Sequence, residues 1–264
     1  MIPHALDRLE EWRAARRQAG RLLLALDFDG TLAPIVEWPE QATLLPAARE
    51  ALLRLARRPD TDLAIVSGRT LEDVRARVAL PGVYYAGNHG MEIEGPGVQR
   101  RFVEAAAVRP RLAACAEALR HALAGVEGAF VEDKGLTLSV HYRRVAEPAL
   151  RDTVRRIAQE ACGREPGLRL TEGKMISEIR PDVDWDKGRA LRFLLDALEA
   201  GDDNLVPALF IGDDRTDEDG FRALAGRGDG ILVADPPPPT TAATAYLRSP
   251  DEVAQLLAGL ADPD

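Results

Sequence analysis

The chain has 264 residues, enough for one large or two ordinary domains, and its 46% hydrophobic and 29% charged residues are typical of a globular protein with a substantial core. The formal net charge of −9, without a concentrated run of Lys and Arg, argues against nucleic acid as a partner, because binding to a phosphate backbone needs a concentrated basic surface. The N-terminus lacks the apolar core of a signal peptide, and no apolar stretch reaches the ~20 residues of a membrane span, so we expect a cytoplasmic protein with no membrane partner. Cys115 and Cys162 have no CxxC spacing, and we expect both thiols to be reduced. We also expect a monomer.

From Arg21 to about residue 100 the chain alternates apolar runs with helical patterns. Continuous apolar runs predict strands that are buried on both faces of a parallel sheet, and apolar residues at three-to-four-residue spacing predict the helices between them. The predicted elements are a strand at 22–27, a helix at 46–57, a strand at 62–67, a helix at 70–78 and a strand at 83–87.

The stretch from about 100 to 183 has a different pattern, in which each helix precedes a pair of strands. The predicted elements are a helix at 108–124, strands at 128–133 and 136–143, a helix at 147–161, and strands at 167–171 and 174–180. The order αββαββ predicts a small antiparallel sheet with helices on one face, inserted into the first domain.

After residue 185 the alternation of strands and helices returns. The predicted elements are a helix at 187–199, a strand at 205–212, a helix at 217–225, strands at 230–234 and 245–248, and a helix at 251–260. The whole pattern predicts an α/β protein with a doubly wound, Rossmann-like parallel-sheet core, formed by residues 1–100 and 184–264, and an inserted αββαββ α+β cap domain at 101–183.

The strongest chemical signal is the motif DFDGTL at 27–32, directly after the first predicted strand. In open α/β sheets ligands bind outside the carboxyl ends of the strands, and this is where Asp27 and Asp29 would lie. Gly30 allows the backbone to turn. An Asp-rich turn without chemistry is the common alternative, but such turns seldom combine this motif with a buried strand.

Three weaker motifs belong with it. Ser67–Gly68–Arg69 ends the second strand, where a hydroxyl and backbone N–H groups before a helix suit an anion. The segment GDDRTDED (212–219) has five carboxylates in eight residues, and such hard oxygen ligands suit Mg²⁺. Lys187, at the start of a core helix, would supply positive charge to phosphate oxygens.

In this order, DxDGT, SGR, DKG and GDD resemble the motifs of the haloacid dehalogenase-like phosphatases. The resemblance implies that Asp27 attacks phosphorus and that Asp29 is the general acid and base. It implies phosphate contacts by Ser67, Gly68 and Lys187, with Lys187 also counted as catalytic. It implies Mg²⁺ as the cofactor, held by the Asp27 side chain, the Asp29 carbonyl oxygen and Asp213, with outer support from Asp217 and from Asp214, which we also count among the metal-binding residues.

Strand alternation predicts a polar face on the inserted sheet. Its members would be Glu132, Lys134, Thr137, Ser139, His141, Arg143, Lys174, Glu178 and Arg180. A merely solvated face is the ordinary outcome for such a surface, but the same donors and acceptors suit sugar hydroxyls.

At this point the resemblance narrows to the trehalose-6-phosphate phosphatase family. It is carried by DFDGTLAPI, GNHG (87–90), E-x-K followed by HYR, GK…EIRP, WDKG and GDDRTDEDGF. It implies Mg²⁺-dependent hydrolysis of trehalose 6-phosphate through an aspartyl-phosphate on Asp27. The implied sugar contacts are Glu132, Lys134, Lys174 and Glu178, to which we add Arg69, His141 and Arg143 as candidate substrate-binding residues. For His89 a place in the site and a packed structural role are both open.

Several alternatives share parts of this pattern. A sucrose-phosphate or mannosylglycerate-type phosphatase and a phosphosugar mutase would share the core and a similar cap. A receiver-type signalling domain also gathers Asp residues and a Lys around Mg²⁺, but it needs neither a cap nor the second Asp of DxD. A catalytically inactive sugar-binding relative is disfavoured by the intact set of Asp27, Asp29, Lys187 and Asp213. The expected partner is a small-molecule sugar phosphate.

Overall fold

The structure is a computed structural model that describes residues 2–102, 107–200 and 205–263. It divides into two compact units: the first runs up to Arg100 and resumes at Trp185, and the second runs from Arg101 to Asp184. Among the described residues, no helix combines the length and the apolar character needed to cross a bilayer.

The first unit is built on an eight-stranded sheet. Its strands are β1 (Leu22–Leu26), β2 (Thr61–Val66), β3 (Tyr84–Gly87), β4 (Glu92–Gly95), β5 (Val98–Arg101), β10 (Ala208–Gly212), β11 (Gly228–Val233) and β12 (Ala245–Leu247). The spatial order is β12-β11-β10-β1-β2-β3-β4-β5, and the pairs from β12 to β3 are parallel, whereas β3 and β4 are antiparallel. The predicted doubly wound α/β fold is confirmed, with an antiparallel edge that the sequence pattern did not predict.

The helices of the first unit connect these strands. They are α1 (Leu9–Ala19), α2 (Pro46–Leu55), α3 (Leu71–Val78), α6 (Lys187–Glu199), α7 (Asp217–Ala223) and α8 (Pro250–Ala261), with short 3₁₀ turns at Ala5–Arg8, Pro39–Gln41 and Asn88–Gly90. The predicted strand at 205–212 begins only at Ala208, because Pro207 has no N–H to give to a ladder.

Parallel pairing brings the carboxyl ends of the central strands to one edge of the sheet. All five residues of β1 are buried, and Leu26 is in register with Ile65 of β2 and Ile211 of β10. The residues after these three strands, Asp27, Ser67 and Asp213, therefore lie side by side. This is the switch point of the doubly wound sheet, where such folds bind ligands.

The second unit is an antiparallel sheet with two helices. The strands are β6 (Phe130–Asp133), β7 (Leu138–His141), β8 (Leu168–Gly173) and β9 (Ile176–Pro181), and the helices are α4 (Arg109–Leu123) and α5 (Pro148–Gly163). The order β6-β7-β9-β8 is antiparallel throughout. Leu138, Val140 and Ile179 form the apolar face and share one core with Leu112 of α4 and Val154 of α5, as the predicted α+β class requires.

Candidate active site

Asp27 emerges from β1 into a turn that only glycine can complete. Its backbone N–H donates to the Ile211 carbonyl at 2.8 Å, and the residue is 6% exposed. Gly30 has φ +80°, and a Cβ at this position would lie 2.2 Å from Oδ2 of Asp213. The glycine therefore allows the turn and also the close approach of the second acidic loop.

Lys187 is the first residue of α6, which is capped by Asp186: the Asp186 carboxylate accepts from the Arg189 N–H at 2.8 Å. The Lys187 ammonium lies 3.0 Å from Oδ1 of Asp27 and donates to Oδ1 of Asp217 at 2.7 Å. Burial alone would lower the pKa of Lys187, but the Asp217 and Asp27 carboxylates raise it above its ordinary value. The lysine is thus held as a buried cation beside the candidate nucleophile.

Asp217 organises the acidic loop that follows β10. Its Oδ2 accepts from the backbone N–H groups of Asp213 at 3.0 Å and Asp214 at 2.9 Å, while its Oδ1 is taken by Lys187. The side chain is fully buried. Both oxygens of Asp217 therefore orient other groups of the site.

Three carboxylates converge at this point. Oxygens of Asp27, Asp213 and Asp217 lie within 4.8 Å of one another, whereas among the described residues the side chains of Asp29 and Asp214 are not part of this trio. Burial raises the pKa of Asp27 well above its ordinary value, and the neighbouring carboxylates add to this against the opposing charge of Lys187. One lysine does not balance this much negative charge, and hard oxygen ligands suit a divalent cation, so the residues fit Mg²⁺.

The predicted phosphate loop follows β2. Ser67 is 1% exposed, its N–H donates to the Ala86 carbonyl, and its Oγ accepts from the Arg69 N–H at 3.2 Å. A Cβ on Gly68 would lie 2.8 Å from Cε1 of the His89 ring. The loop can therefore adopt this path only because residue 68 has no side chain.

The GNHG segment supports this loop from the next strand. Asn88, His89 and Gly90 have φ values of +49°, +56° and +87°, the left-handed region that costs energy for residues with a side chain. The Asn88 N–H donates to the Arg69 carbonyl at 2.7 Å, and the His89 N–H donates to the Ser67 carbonyl at 2.9 Å. His89 is buried against Gly68, so the structure gives it a packing role.

Arg69 is turned toward Asp29. Its Nε donates to Oδ2 of Asp29 and its Nη2 to Oδ1, both at 2.7 Å, and its Nη1 donates to Asp73 at 2.6 Å. Burial alone would lower the pKa of the Arg69 guanidinium, but the hydrogen bonds and charges of Asp29 and Asp73 raise it. Sequence reasoning missed Asp73; the available signal was its place three residues after Thr70, the N-cap of α3, whose Oγ1 accepts the Asp73 N–H.

In the second unit the candidate sugar contacts form two pairs on one face of the sheet. The His141 ring lies 2.8 Å from Oε2 of Glu132, and the Lys134 ammonium donates to Oε1 of Glu178 at 3.2 Å. Glu132 and Glu178 are both in register with Ser139, which is fully buried. Ser139 and Glu178 are therefore buried at this row of the sheet, whereas the Glu132 side chain is 35% exposed.

The two remaining candidates lie at the end of the sheet. Arg143 donates to the Lys174 carbonyl at 2.6 Å, and the Lys174 side chain is exposed at the turn between β8 and β9. They are thus held together by the backbone, away from the paired row.

Comparison with known proteins places the chain in a family. The sequence profile of the family described as Trehalose-phosphatase matches residues 25–241. The chain is 41% identical over 274 residues to the probable trehalose-phosphate phosphatase D of Arabidopsis thaliana, covering 98% of this chain and 72% of the relative. It is 40% identical over 277 residues to the trehalose 6-phosphate phosphatase RA3 of Zea mays, covering 98% and 75%.

The fold has close relatives among solved structures. The C-terminal domain of the trehalose-6-phosphate phosphatase of C. albicans superposes with a TM-score of 0.84 at 22% identity, over 99% of each chain. At that identity the likeness concerns the fold alone, and it agrees with the predicted α/β core with an inserted α+β domain.

Proposed function

The chain belongs to the trehalose-phosphatase family and is a phosphoric monoester hydrolase of the haloacid dehalogenase-like type, and we propose that it converts trehalose 6-phosphate into trehalose and inorganic phosphate. The observation that carries the proposal is the buried contact of Asp27 with Lys187, next to the carboxylates of Asp213 and Asp217. An isolated buried charge cluster of this kind is costly for folding, and a site for an anionic substrate and its metal explains its presence.

In the proposed reaction Asp27 is the nucleophile. A carboxylate oxygen of Asp27 forms a bond to phosphorus while the bond from phosphorus to the sugar oxygen breaks, and Asp29 gives its proton to the departing oxygen. Asp29 then takes a proton from a water that attacks the aspartyl-phosphate. Phosphate leaves, and the Asp27 carboxylate is restored.

Positive charge has to offset the repulsion between the carboxylate and the phosphate. Lys187, Ser67 and Gly68 are the proposed protein contacts of the phosphoryl oxygens. We propose that Mg²⁺ is held by Asp27, the Asp29 carbonyl and Asp213, with Asp214 as a further candidate and Asp217 in support. When bound, the cation supplies the charge that lets an anionic nucleophile meet an anionic phosphate.

The second unit is the proposed cap that selects the sugar. Glu132, Lys134, Lys174 and Glu178 are the proposed sugar contacts, with His141 and Arg143 as further candidates. The Lys134 and Glu178 side chains are each 8% exposed and already paired, which supports this proposal. Charged pairs of this kind can exchange one hydrogen bond for a sugar hydroxyl without leaving a buried group unsatisfied.

A panel of sugar phosphates tests the proposal. Purified protein with Mg²⁺ is assayed for phosphate release from trehalose 6-phosphate, sucrose 6-phosphate, mannosylglycerate phosphate, glucose 6-phosphate and mannose 1-phosphate. We expect kcat/KM to be highest for trehalose 6-phosphate. A preference for another sugar would contradict the substrate, and activity that depends on a sugar bisphosphate would favour a mutase. A cytoplasmic location and a monomeric state stay predictions.

A further inference from the structure

The contacts of Arg69 with Asp29 and its other neighbours use most of the N–H donors of the arginine. A guanidinium has five N–H donors. Two go to the two oxygens of Asp29, one goes to Asp73, and one goes to the Pro39 carbonyl at 2.8 Å. Arginine grips a phosphate most strongly with two parallel N–H groups, and Arg69 cannot present such a pair without releasing Asp29, Asp73 or the Pro39 carbonyl.

The surroundings of Arg69 hold the side chain in this orientation. Its side chain is 8% exposed, and its guanidinium carbon lies 5.2 Å from the centre of the Phe28 ring. Asp73, in the first turn of α3, is in turn held by Arg77. The Asp29 side chain is 37% exposed, about as much as that of Asp73, and Arg69 donates to both of its oxygens.

We infer that Arg69 is a positioning residue that fixes the carboxylate of Asp29 beside Asp27, and that it is not a ligand of the substrate phosphate. The inference rests on the proposed function, in which Asp29 handles both proton transfers. A carboxylate on a turn residue has several rotamers in water, and a bidentate guanidinium selects one of them before the substrate arrives. Loss of Arg69 therefore acts on the step that needs Asp29 and leaves the affinity for phosphate in place.

Arg77 provides a matched control. It shares the Asp73 carboxylate with Arg69, donating from Nε at 2.9 Å, and it also donates to carbonyls of the neighbouring loop, those of Glu40 and Ala42. Its described hydrogen bonds do not include Asp29. Arg77→Gln therefore reproduces the loss of a loop-to-helix contact without the loss of the Asp29 contact.

The test is a double-mutant cycle in the Mg²⁺-loaded protein. Wild type, Arg69→Gln, Asp29→Asn and the double variant are assayed for kcat and KM with trehalose 6-phosphate, for the burst of p-nitrophenolate from p-nitrophenyl phosphate, and for inhibition by inorganic phosphate. We expect Arg69→Gln to lower kcat roughly ten- to a hundredfold while the phosphate inhibition constant stays within about twofold. When Arg69→Gln is added to Asp29→Asn, the burst rate should fall less than about twofold, because the carboxylate that Arg69 positions is already absent.

Two results would overturn the inference. One is an equal loss from Arg69→Gln in both backgrounds, and the other is a tenfold or larger rise of the phosphate inhibition constant. If Arg69→Gln fails to fold, Arg69→Lys keeps the charge but not the bidentate contact, and the same cycle applies with a smaller expected loss. If the wild type releases no phosphate from either ester, the proposed function fails; if it is active and the cycle is additive, only the role of Arg69 is wrong.

Discussion

In the first unit the candidate functional residues come from segments far apart in the chain, whereas in the second they lie on directly paired strands or in the turns next to them. Asp27 follows β1, Lys187 begins α6 and Asp217 begins α7, yet the Lys187 ammonium lies 3.0 Å from Asp27 and 2.7 Å from Asp217. The Glu132–His141 pair lies within one hairpin, and the Lys134–Glu178 pair links that hairpin to β9. The first arrangement exists only when the whole sheet is assembled.

The two arrangements also differ in what holds each carboxylate. Asp217 accepts two backbone N–H groups and a lysine, so its position is set by the main chain. The Glu178 carboxylate pairs with the Lys134 side chain, and the Glu132 carboxylate pairs with the His141 ring. A preorganised backbone suits chemistry that is the same for every phosphate ester, whereas side-chain pairs suit recognition that depends on the sugar.

The largest effect should come from the nucleophile. Asp27→Asn keeps the shape of the side chain but removes the attacking oxygen anion, so phosphate release from every ester should fall at least ~10³-fold. The exposed Asp196→Asn on α6 is the matched control and should have wild-type activity. Both proteins are compared by thermal unfolding and phosphate release. Substantial activity in a folded Asp27→Asn preparation would show that Asp27 is not the nucleophile.

Removal of the metal should be nearly as severe. EDTA should stop the wild-type enzyme, and added Mg²⁺ should restore it. Asp213→Asn should raise the Mg²⁺ concentration needed for half-maximal rate about tenfold or more, because it removes one charged ligand from a site with few protein ligands. Full activity in thoroughly chelated buffer would be incompatible with the proposed mechanism.

Substitutions in the second unit should lower the turnover of trehalose 6-phosphate much more than that of p-nitrophenyl phosphate. Glu132→Ala and Glu178→Ala should each lower kcat/KM for trehalose 6-phosphate roughly ten- to a hundredfold, because each removes a hydrogen bond to a charged group. Turnover of p-nitrophenyl phosphate, which has no disaccharide, should change much less. The exposed Glu117→Ala on α4 serves as the control. Equal losses on both substrates would mean that these glutamates are structural or catalytic.

A substitution in the phosphate loop should have a smaller effect on activity, and a second substitution should reverse part of it. Gly68→Ala places a Cβ 2.8 Å from the His89 ring, so the loop has to shift, and we expect a loss of a few- to tenfold in kcat/KM and a lowered Tm. His89→Ala in the same chain should restore part of both, since the obstructing ring is gone. Gly125→Ala in the second unit, where a Cβ meets nothing within 4 Å, should change neither quantity. Failure of the rescue would show that the ring is not what limits residue 68.

The last prediction concerns the reactivity of the two thiols and involves no loss of activity. Both cysteines of the chain lie in the second unit, so their labelling reports on that unit alone. Burial raises the pKa of Cys115 to about 12, and burial also raises that of Cys162. Because only the thiolate reacts, both thiols should stay nearly inert toward a disulfide reagent at pH 8 and react on unfolding. Labelling during a denaturant titration, compared with phosphatase activity, shows whether the second unit unfolds before the first. Fast labelling of the native protein would contradict the burial of these residues.

Strong, regular local patterns allowed most of the fold to be predicted. The apolar runs of β1, β2 and β10 identified a parallel sheet, because strands buried on both faces have no polar alternation. The elements that were not predicted are α1 and the strands β4 and β5, which are short or carry many charged residues. In these segments the neighbours in space, more than the local pattern, decide the structure.

For the site, the sequence by itself determined the residue types and their order: Asp27 and Asp29 after a strand, Ser67 after the next, Lys187 at a helix start and Asp213 after a later strand. Parallel pairing then brings strand ends to one edge whatever lies between them. Only the tertiary structure decided which of these charges meet. That Asp217 holds Lys187, and that Arg69 grips Asp29, depends on side-chain directions and distances across separate elements, which no local spacing encodes.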